Sequence, residues 1–201
     1  MIQRSLLLSA FVLLSCVIGV AQGSFAAADD PTSVVGDLGT RALAAMRYGD
    51  TTVAQARIRQ LFRQYFDTEA CTRSALGSYW QNTTTRQRQE YTHRYEDYIV
   101  IMYSTLLRHF GGASFTVLGS QPDKEGVIVT SRINGIVPML VDWQLTPTNE
   151  GYKVTNLFVS GINMASLQNS DIISVVQRNS GQIQPLLATL REKNASNGIL
   201  R

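Results

Sequence analysis

The sequence predicts an α+β fold in which helices are segregated to one face of a four-stranded antiparallel sheet. Three observations lead there. Apolar residues recur at helical spacing from about residue 32 to 110, and again from about 167 to 194, while residues 114 to 163 are rich in β-branched and aromatic runs. The strand-like runs are joined by short turn-forming stretches, which connect antiparallel neighbours.

The chain opens with a short basic start containing Arg4, an apolar run from Leu6 to Ala21, and the small residues Ala26-Ala27-Ala28. This is the order of a secretory signal peptide, so residues 1–28 are expected to be cleaved before Asp29, leaving 29–201 as a single exported domain. The run is too short and too early for a comfortable membrane span. Leu13-Leu14-Ser15-Cys16 loosely resembles a lipoprotein processing site, but Val17 to Val20 continue apolar where such a protein turns polar.

The remaining 173 residues suffice for one domain, burying about 70% of its unfolded surface, with room for both a core and a cavity. Their 17 basic and 15 acidic side chains give a charge of only +2, so nucleic-acid binding has no electrostatic basis. Only Cys71 survives cleavage, which excludes an internal disulfide and reads most simply as a small buried residue.

Thr32 or Ser33 is expected to cap a first helix carrying Val34, Val35, Leu38, Ala42, Leu43 and Met46, stopped at Gly49-Asp50. A second runs from about Val53 to Phe66 with Ile58, Leu61, Phe62 and Phe66 on one side. Asp67 or Thr68 caps a short third helix that Gly77 ends. The longest helix starts in Thr83-Thr84-Thr85 and ends at Gly111-Gly112, with an apolar face from Tyr91 to Phe110 wider than one packing partner needs. Tyr79 and Trp80 lie at the corner before it and fill that corner as an apolar plug.

Four strands follow, at Phe115–Leu118, Gly126–Ile133, Pro138–Leu145 and Tyr152–Ile162, separated by turns at 121–126, 134–135 and 147–151. In the third, Met139, Val141, Trp143 and Leu145 alternate with polar or outward residues and face the helices. In the fourth, Tyr152, Val154, Asn156 and Phe158 share one side, Leu157 and Val159 the other, and alternation does not decide which is inward.

Catalytic machinery is hard to assemble. His93 and His109 are 16 residues apart on one helix and point roughly 160° from one another, so they share neither a catalytic site nor a metal. Glu96, Asp97, Asp67 and Glu69 have solvated or capping explanations. Asp142 is the one carboxylate inside an apolar strand, on the face opposite Trp143. No phosphate-cradling motif or metal-ligand spacing is present, and no cofactor is called for. The wide helix face against a curved sheet can pack solid or leave a cavity.

The order of the blocks YFDTEACTRSALGSYW, QRQEYTHRYEDYIVIMY, VDWQL, GYKVTNLFVSGINMA and SVVQRNSGQIQPLLATLREK resembles the toluene-tolerance family, the MlaC-type periplasmic phospholipid-binding proteins, with a related HpnM branch that accompanies hopanoid synthesis. The resemblance covers about Leu61 to Lys193. It implies helices on a strongly bent antiparallel sheet with a lipid cleft between the layers. It also implies a monomeric periplasmic carrier, not an enzyme, that shuttles phospholipid between an outer-membrane lipoprotein complex and an inner-membrane ABC transporter complex.

Assigned by face, the implied lining is Tyr95, Tyr98, Ile99, Met102 and Tyr103 of the long helix, with Phe115, Val117, Val129, Met139, Val141, Trp143, Val154 and Phe158 of the strands. Family members commonly carry acids where this chain has Asn156 and Ser160. Three alternatives stand beside the phospholipid carrier: a carrier of a hopanoid or other lipid, a small isomerase using Asp142 and Tyr103 in an apolar pocket, and an interaction module whose arginines dock an acidic partner.

Overall fold

The computed structural model describes residues 30–47 and 50–197. The expected signal peptide, its cleavage before Asp29, Cys16 and the helix stop at Gly49 lie outside the described residues. Along the chain come α1 (Pro31–Ala45), α2 (Thr51–Tyr65), α3 (Thr68–Leu76), a 3-10 helix (Gly77–Asn82), α4 (Thr85–Arg108), β1 (Ser114–Asp123), β2 (Gly126–Asn134), β3 (Met139–Thr148), β4 (Gly151–Val159), β5 (Ile162–Asn163), α5 (Met164–Arg178) and α6 (Gln184–Asn197).

Each of the first four α-helices begins on a side chain that satisfies orphan backbone amides. The cap of α1 is Asp30, not Thr32 or Ser33. Its carboxylate accepts from the Thr32 amide at 3.4 Å and from the Ser33 hydroxyl at 3.2 Å. Pro31 accounts for the shift, because its fixed φ suits the first helical position and leaves the residue before it as the cap. Asp50 caps α2 and Asp67 caps α3, at 2.7 Å to the Thr52 amide and 2.8 Å to the Ala70 amide. Thr84 and Gln87 form a reciprocal capping box at the start of α4.

The sheet is an open antiparallel meander in the order β1-β2-β3-β4-β5. It has one more strand than expected, because Ser160 and Gly161, at φ +50° and +81°, turn the last run back on itself. β1 also extends to Asp123, through half of the expected turn; Pro122 is tolerated there because β1 is an edge strand.

Two bulges decide which residues face the helices. Register shifts between Val117 and Gly119 on β1, and on β4 Val154 pairs with Leu145 while Asn156 pairs with Gln144, leaving Thr155 extra. One extra residue reverses the faces beyond it. Val154 therefore faces inward, Leu157 pairs with Trp143 and Val159 with Val141 on the inner face, and Phe158 pairs with Asp142 on the outer face. The expected inward placement of Phe158 is corrected accordingly.

Two apolar clusters result. One lies between α1, α2, Val100 of α4 and the sheet. The other joins α3, the 3-10 helix, the first half of α4, and Ile172, Val176, Leu186, Leu187 and Leu190 of α5 and α6. Trp80 sits in the second, edge-on to Tyr91 with ring centroids 6.4 Å apart, and Tyr79 packs against it half-buried. The Arg88 guanidinium covers the Trp80 ring at 5.3 Å and donates to the Trp80 carbonyl at 3.2 Å.

Glu96, expected on a solvated face, is buried where α2 crosses α4. Arg59 and Arg63 of α2 each donate to its Oε1 at 2.9 Å, and Arg59 also reaches Asp97 at 2.7 Å. Breaking such a pair leaves an uncompensated buried charge, so it fixes the crossing.

If Trp80 is the plug that sets the corner, Trp80→Ala should lower unfolding free energy by about 3 kcal/mol. Urea unfolding followed by circular dichroism measures this; a loss below about 1 kcal/mol would mean the corner does not depend on the indole.

Candidate functional site

The first cluster is hollow. Between α1, α2, the second half of α4 and the inner face of the sheet lies a cavity of about 810 Å³, its open mouth included. α1 contributes Leu38, Gly39, Ala42 and Leu43; α2 and its C-cap contribute Ile58, Leu61, Phe62 and Phe66. From α4 and the turn after it come Ile99, Tyr103, Leu106, Leu107 and Phe110. The sheet contributes Phe115, Ile133, Met139, Val141, Trp143, Leu157 and Val159.

Small residues on α1 shape one wall. A Cβ built on Gly39 would fall 2.3 Å from the Phe115 ring, so the ring lies directly on the α1 backbone. From there it meets Trp143 edge-on, with centroids 6.2 Å apart. A larger residue at position 39 would drive the ring away from the helix.

The polar atoms of the lining are tied down away from the hollow. Trp143 Nε1 donates to Ser131 Oγ at 2.8 Å, and Ser131 Oγ donates to the Val141 carbonyl at 3.2 Å. Gln168 of α5 donates to the Tyr103 hydroxyl at 3.4 Å and accepts from the Tyr95 hydroxyl at 2.5 Å. Burial pushes both phenols above their ordinary values, so they stay neutral. What remains is a surface of carbon.

A second, smaller chamber, about 350 Å³ with its opening to solvent included, lies beyond a partition made by Phe62, Phe66, Ile99, Tyr103 and Leu157, which line both spaces. Its far side is more polar, with Cys71, Thr155, Asn156 and Gln168. Asn156 Oδ1 accepts from the Leu157 amide at 2.8 Å beside the bulge.

On the α4 wall Ile99 is buried, Tyr103 and Leu107 are half-buried and Leu106 is exposed, so along this wall the lining meets solvent toward the C-terminal end of α4.

Of the thirteen residues expected to line the cleft, six border this cavity: Ile99, Tyr103, Phe115, Met139, Val141 and Trp143. Tyr95 borders the second chamber. Tyr98 and Met102 turn toward the second cluster, because the wide face of α4 serves two packing partners. Val129 and Val154 are fully buried in the first cluster and Val117 packs against it, while the bulge at Thr155 puts Phe158 outside. Sequence reasoning missed the contributions of α1 and α2. The one local signal was the pairing of Gly39 and Ala42 with large apolar residues on a single helical face.

Asp142 accepts from the Thr130 hydroxyl at 2.6 Å on the outer face, so the isomerase reading loses its base. His93 is solvent-facing, with Nε2 3.7 Å from Asp97, and His109 ends α4 with Nδ1 3.2 Å from the Thr105 carbonyl.

Three comparisons bear on this geometry. The family described as MlaC protein matches residues 40–192. No curated protein matches the sequence. Among solved structures, a phospholipid-binding protein from Ralstonia solanacearum, determined in complex with a phospholipid, superposes with a TM-score of 0.71 at 21% identity, covering 84% of this chain and 99% of that one. At that identity the likeness establishes the fold.

Burial, and secondarily the nearby Asp67 carboxylate, push the Cys71 thiol up to about 12. The folded thiol thus keeps its proton where an unfolded one, near about 8.5, would lose it. Its contribution to stability is complete below that value and is lost as pH rises toward 12. Iodoacetamide at pH 8 should leave Cys71 unmodified in the native protein and alkylate it readily in urea, as mass spectrometry would record. Rapid native alkylation would mean that the second chamber is open to water.

Proposed function

The chain belongs to the MlaC protein family, and on that footing we propose that it is a periplasmic carrier that encloses the acyl chains of a phospholipid. It moves this cargo between an outer-membrane lipoprotein complex and an inner-membrane ABC transporter complex. The carrier acts as a monomer and catalyses nothing; ATP is consumed by the transporter. Export through a signal peptide at residues 1–28 belongs to the same reading.

The observation that carries it is an apolar cavity whose tyrosine and tryptophan polar atoms are all bonded outside it. Acyl chains need such a surface. Roughly 0.8 kcal/mol accrues per methylene buried, so two chains of about 16 carbons represent on the order of 25 kcal/mol of gross transfer energy. A carrier must match most of this or lipid would stay in the membrane. A headgroup left at the mouth keeps its hydration, because nothing polar inside could replace it. The phospholipid held by the Ralstonia solanacearum protein of the same fold supports the choice of ligand.

Acyl contact is assigned to Ile99, Tyr103, Phe115, Met139, Val141 and Trp143, joined by Leu38, Leu43, Phe62, Leu107 and Leu157. Tyr95, Tyr98, Met102, Val117, Val129 and Val154 support these walls from behind. Asp142 on the outer face and the hollow between the layers weigh against the isomerase and the solid interaction module.

Native mass spectrometry of protein purified from cells should show a bound phospholipid and identify its class. Val141→Glu, which puts a carboxylate into the lining, should abolish co-purification, whereas Phe158→Glu on the outer face should retain the lipid. Wild-type protein that stays lipid-free after incubation with liposomes would overturn the carrier reading.

A further inference from the structure

Several of the most exposed large apolar side chains among the described residues gather at one end of the molecule: Leu106, Ile136, Val137, Leu140 and Ile162. The topology puts them there. Ile136 and Val137 form the tip between β2 and β3, at 106% and 73% exposure. The Leu140 carbonyl accepts from the Ser160 amide at 2.9 Å, which brings the β4-β5 turn and Ile162 alongside. A Cβ on Gly135 would meet the Phe110 ring at 3.4 Å, so the tip abuts the end of α4 where the cavity opens.

Two features of this end are unexplained by the fold. Turn tips favour Gly, Asn, Asp and Pro, and nothing in the core uses Ile136 or Val137. The surrounding chain also lacks acid: between Tyr98 and Pro122 and between Gly126 and Val141 there is no Asp or Glu, while Arg108, His109 and Arg132 are present. All three of those basic residues are exposed, and Arg108 also donates to the Thr51 hydroxyl at 3.1 Å, beside Asp50 at the start of α2.

We infer that this end docks on a phospholipid bilayer containing anionic lipid, with the Ile136-Val137 tip in the interfacial layer and Arg108 and Arg132 at headgroup depth. The inference rests on the carrier reading of the cavity and adds the surface by which the carrier sits on the membranes that hold those two complexes. Interfacial binding scales with apolar area buried plus attraction to anionic lipid, and this end supplies both. The tip is convex and its two side chains project freely, which suits a fluid surface; a protein partner would have to offer a matching groove. Docking here turns the cavity mouth toward the membrane at which each complex works, so acyl chains are handed over without crossing bulk water.

Flotation of the full chain with vesicles of phosphatidylethanolamine and phosphatidylglycerol tests this, with pure phosphatidylcholine vesicles as the neutral comparison. Wild-type protein should float with the anionic vesicles, and added salt should weaken the association. The double variant Ile136→Asp, Val137→Asp should lose about tenfold or more in affinity, because both apolar side chains leave the interface. It should fold as wild type by circular dichroism and keep its co-purified lipid, since neither residue lines the cavity. Arg132→Glu should weaken binding to anionic vesicles and leave phosphatidylcholine unaffected. Lipid-loaded wild type that fails to float, or a double variant that floats equally well, overturns the docking surface and leaves the cavity reading intact. A protein that floats but never carries lipid overturns the cavity reading and leaves docking in place.

Discussion

Along its first half α4 is gripped from several directions: Tyr91 meets Trp80 and Tyr95, Glu96 holds Arg59 and Arg63 of α2, and Asn194 of α6 donates to the Arg94 carbonyl at 2.9 Å. Along its second half, from Tyr103 to the turn at Phe110, one face borders empty space. An unfilled apolar space tends to close, because its lining forfeits dispersion contacts. It persists here because the helix is anchored elsewhere. The apolar cluster among α3, α4, α5 and α6 fixes the direction of α4, and the Arg59-Glu96-Arg63 contact fixes where α2 crosses it. The hollow between α1, α2, α4 and the sheet is a consequence of these two constraints.

The same anchoring explains why the cavity is free of polar atoms. Trp143 and Tyr103 each bring one polar atom to a wall that has none to pair with it. Ser131 within the sheet and Gln168 on α5 take those atoms outward, and each partner is itself buried and bonded. The lining is therefore apolar through the placement of its neighbours as much as through its own composition. Where the supports end, at the tip of α4 and the β2-β3 turn, Leu106, Ile136 and Val137 face water instead of a wall.

Much of this was legible in the sequence because it depends on local signals. Helix periods, the glycines at 77 and 111–112, the Thr84 region as the start of α4, and the turn-forming links gave the α+β layering and the antiparallel order. The role of Tyr79 and Trp80 as a corner plug followed from their place between a helix stop and a helix cap. What was not legible depends on pairing between distant residues. The bulge at Thr155 has no local mark, yet it turns Phe158 outward and Leu157 inward. Nor does periodicity tell an apolar residue that fills a core from one that borders a hollow, which is why Leu38, Ile58 and their neighbours on α1 and α2 were read only as packing. The burial of Glu96 likewise depends on α2 crossing at that point, which the pattern of α4 alone does not contain.

The two tryptophans allow the central claim to be tested in solution, since Trp143 lines the cavity and Trp80 lies in the second cluster, away from that lining. Protein loaded with a phospholipid brominated along its acyl chains can be compared in the single-tryptophan variants Trp80→Phe and Trp143→Phe. If the chains occupy the hollow between the helices and the sheet, fluorescence of the variant retaining Trp143 is strongly quenched and that of the variant retaining Trp80 is not. Equal quenching of both, or none at Trp143 in a lipid-loaded protein, would place the chains elsewhere and contradict the account.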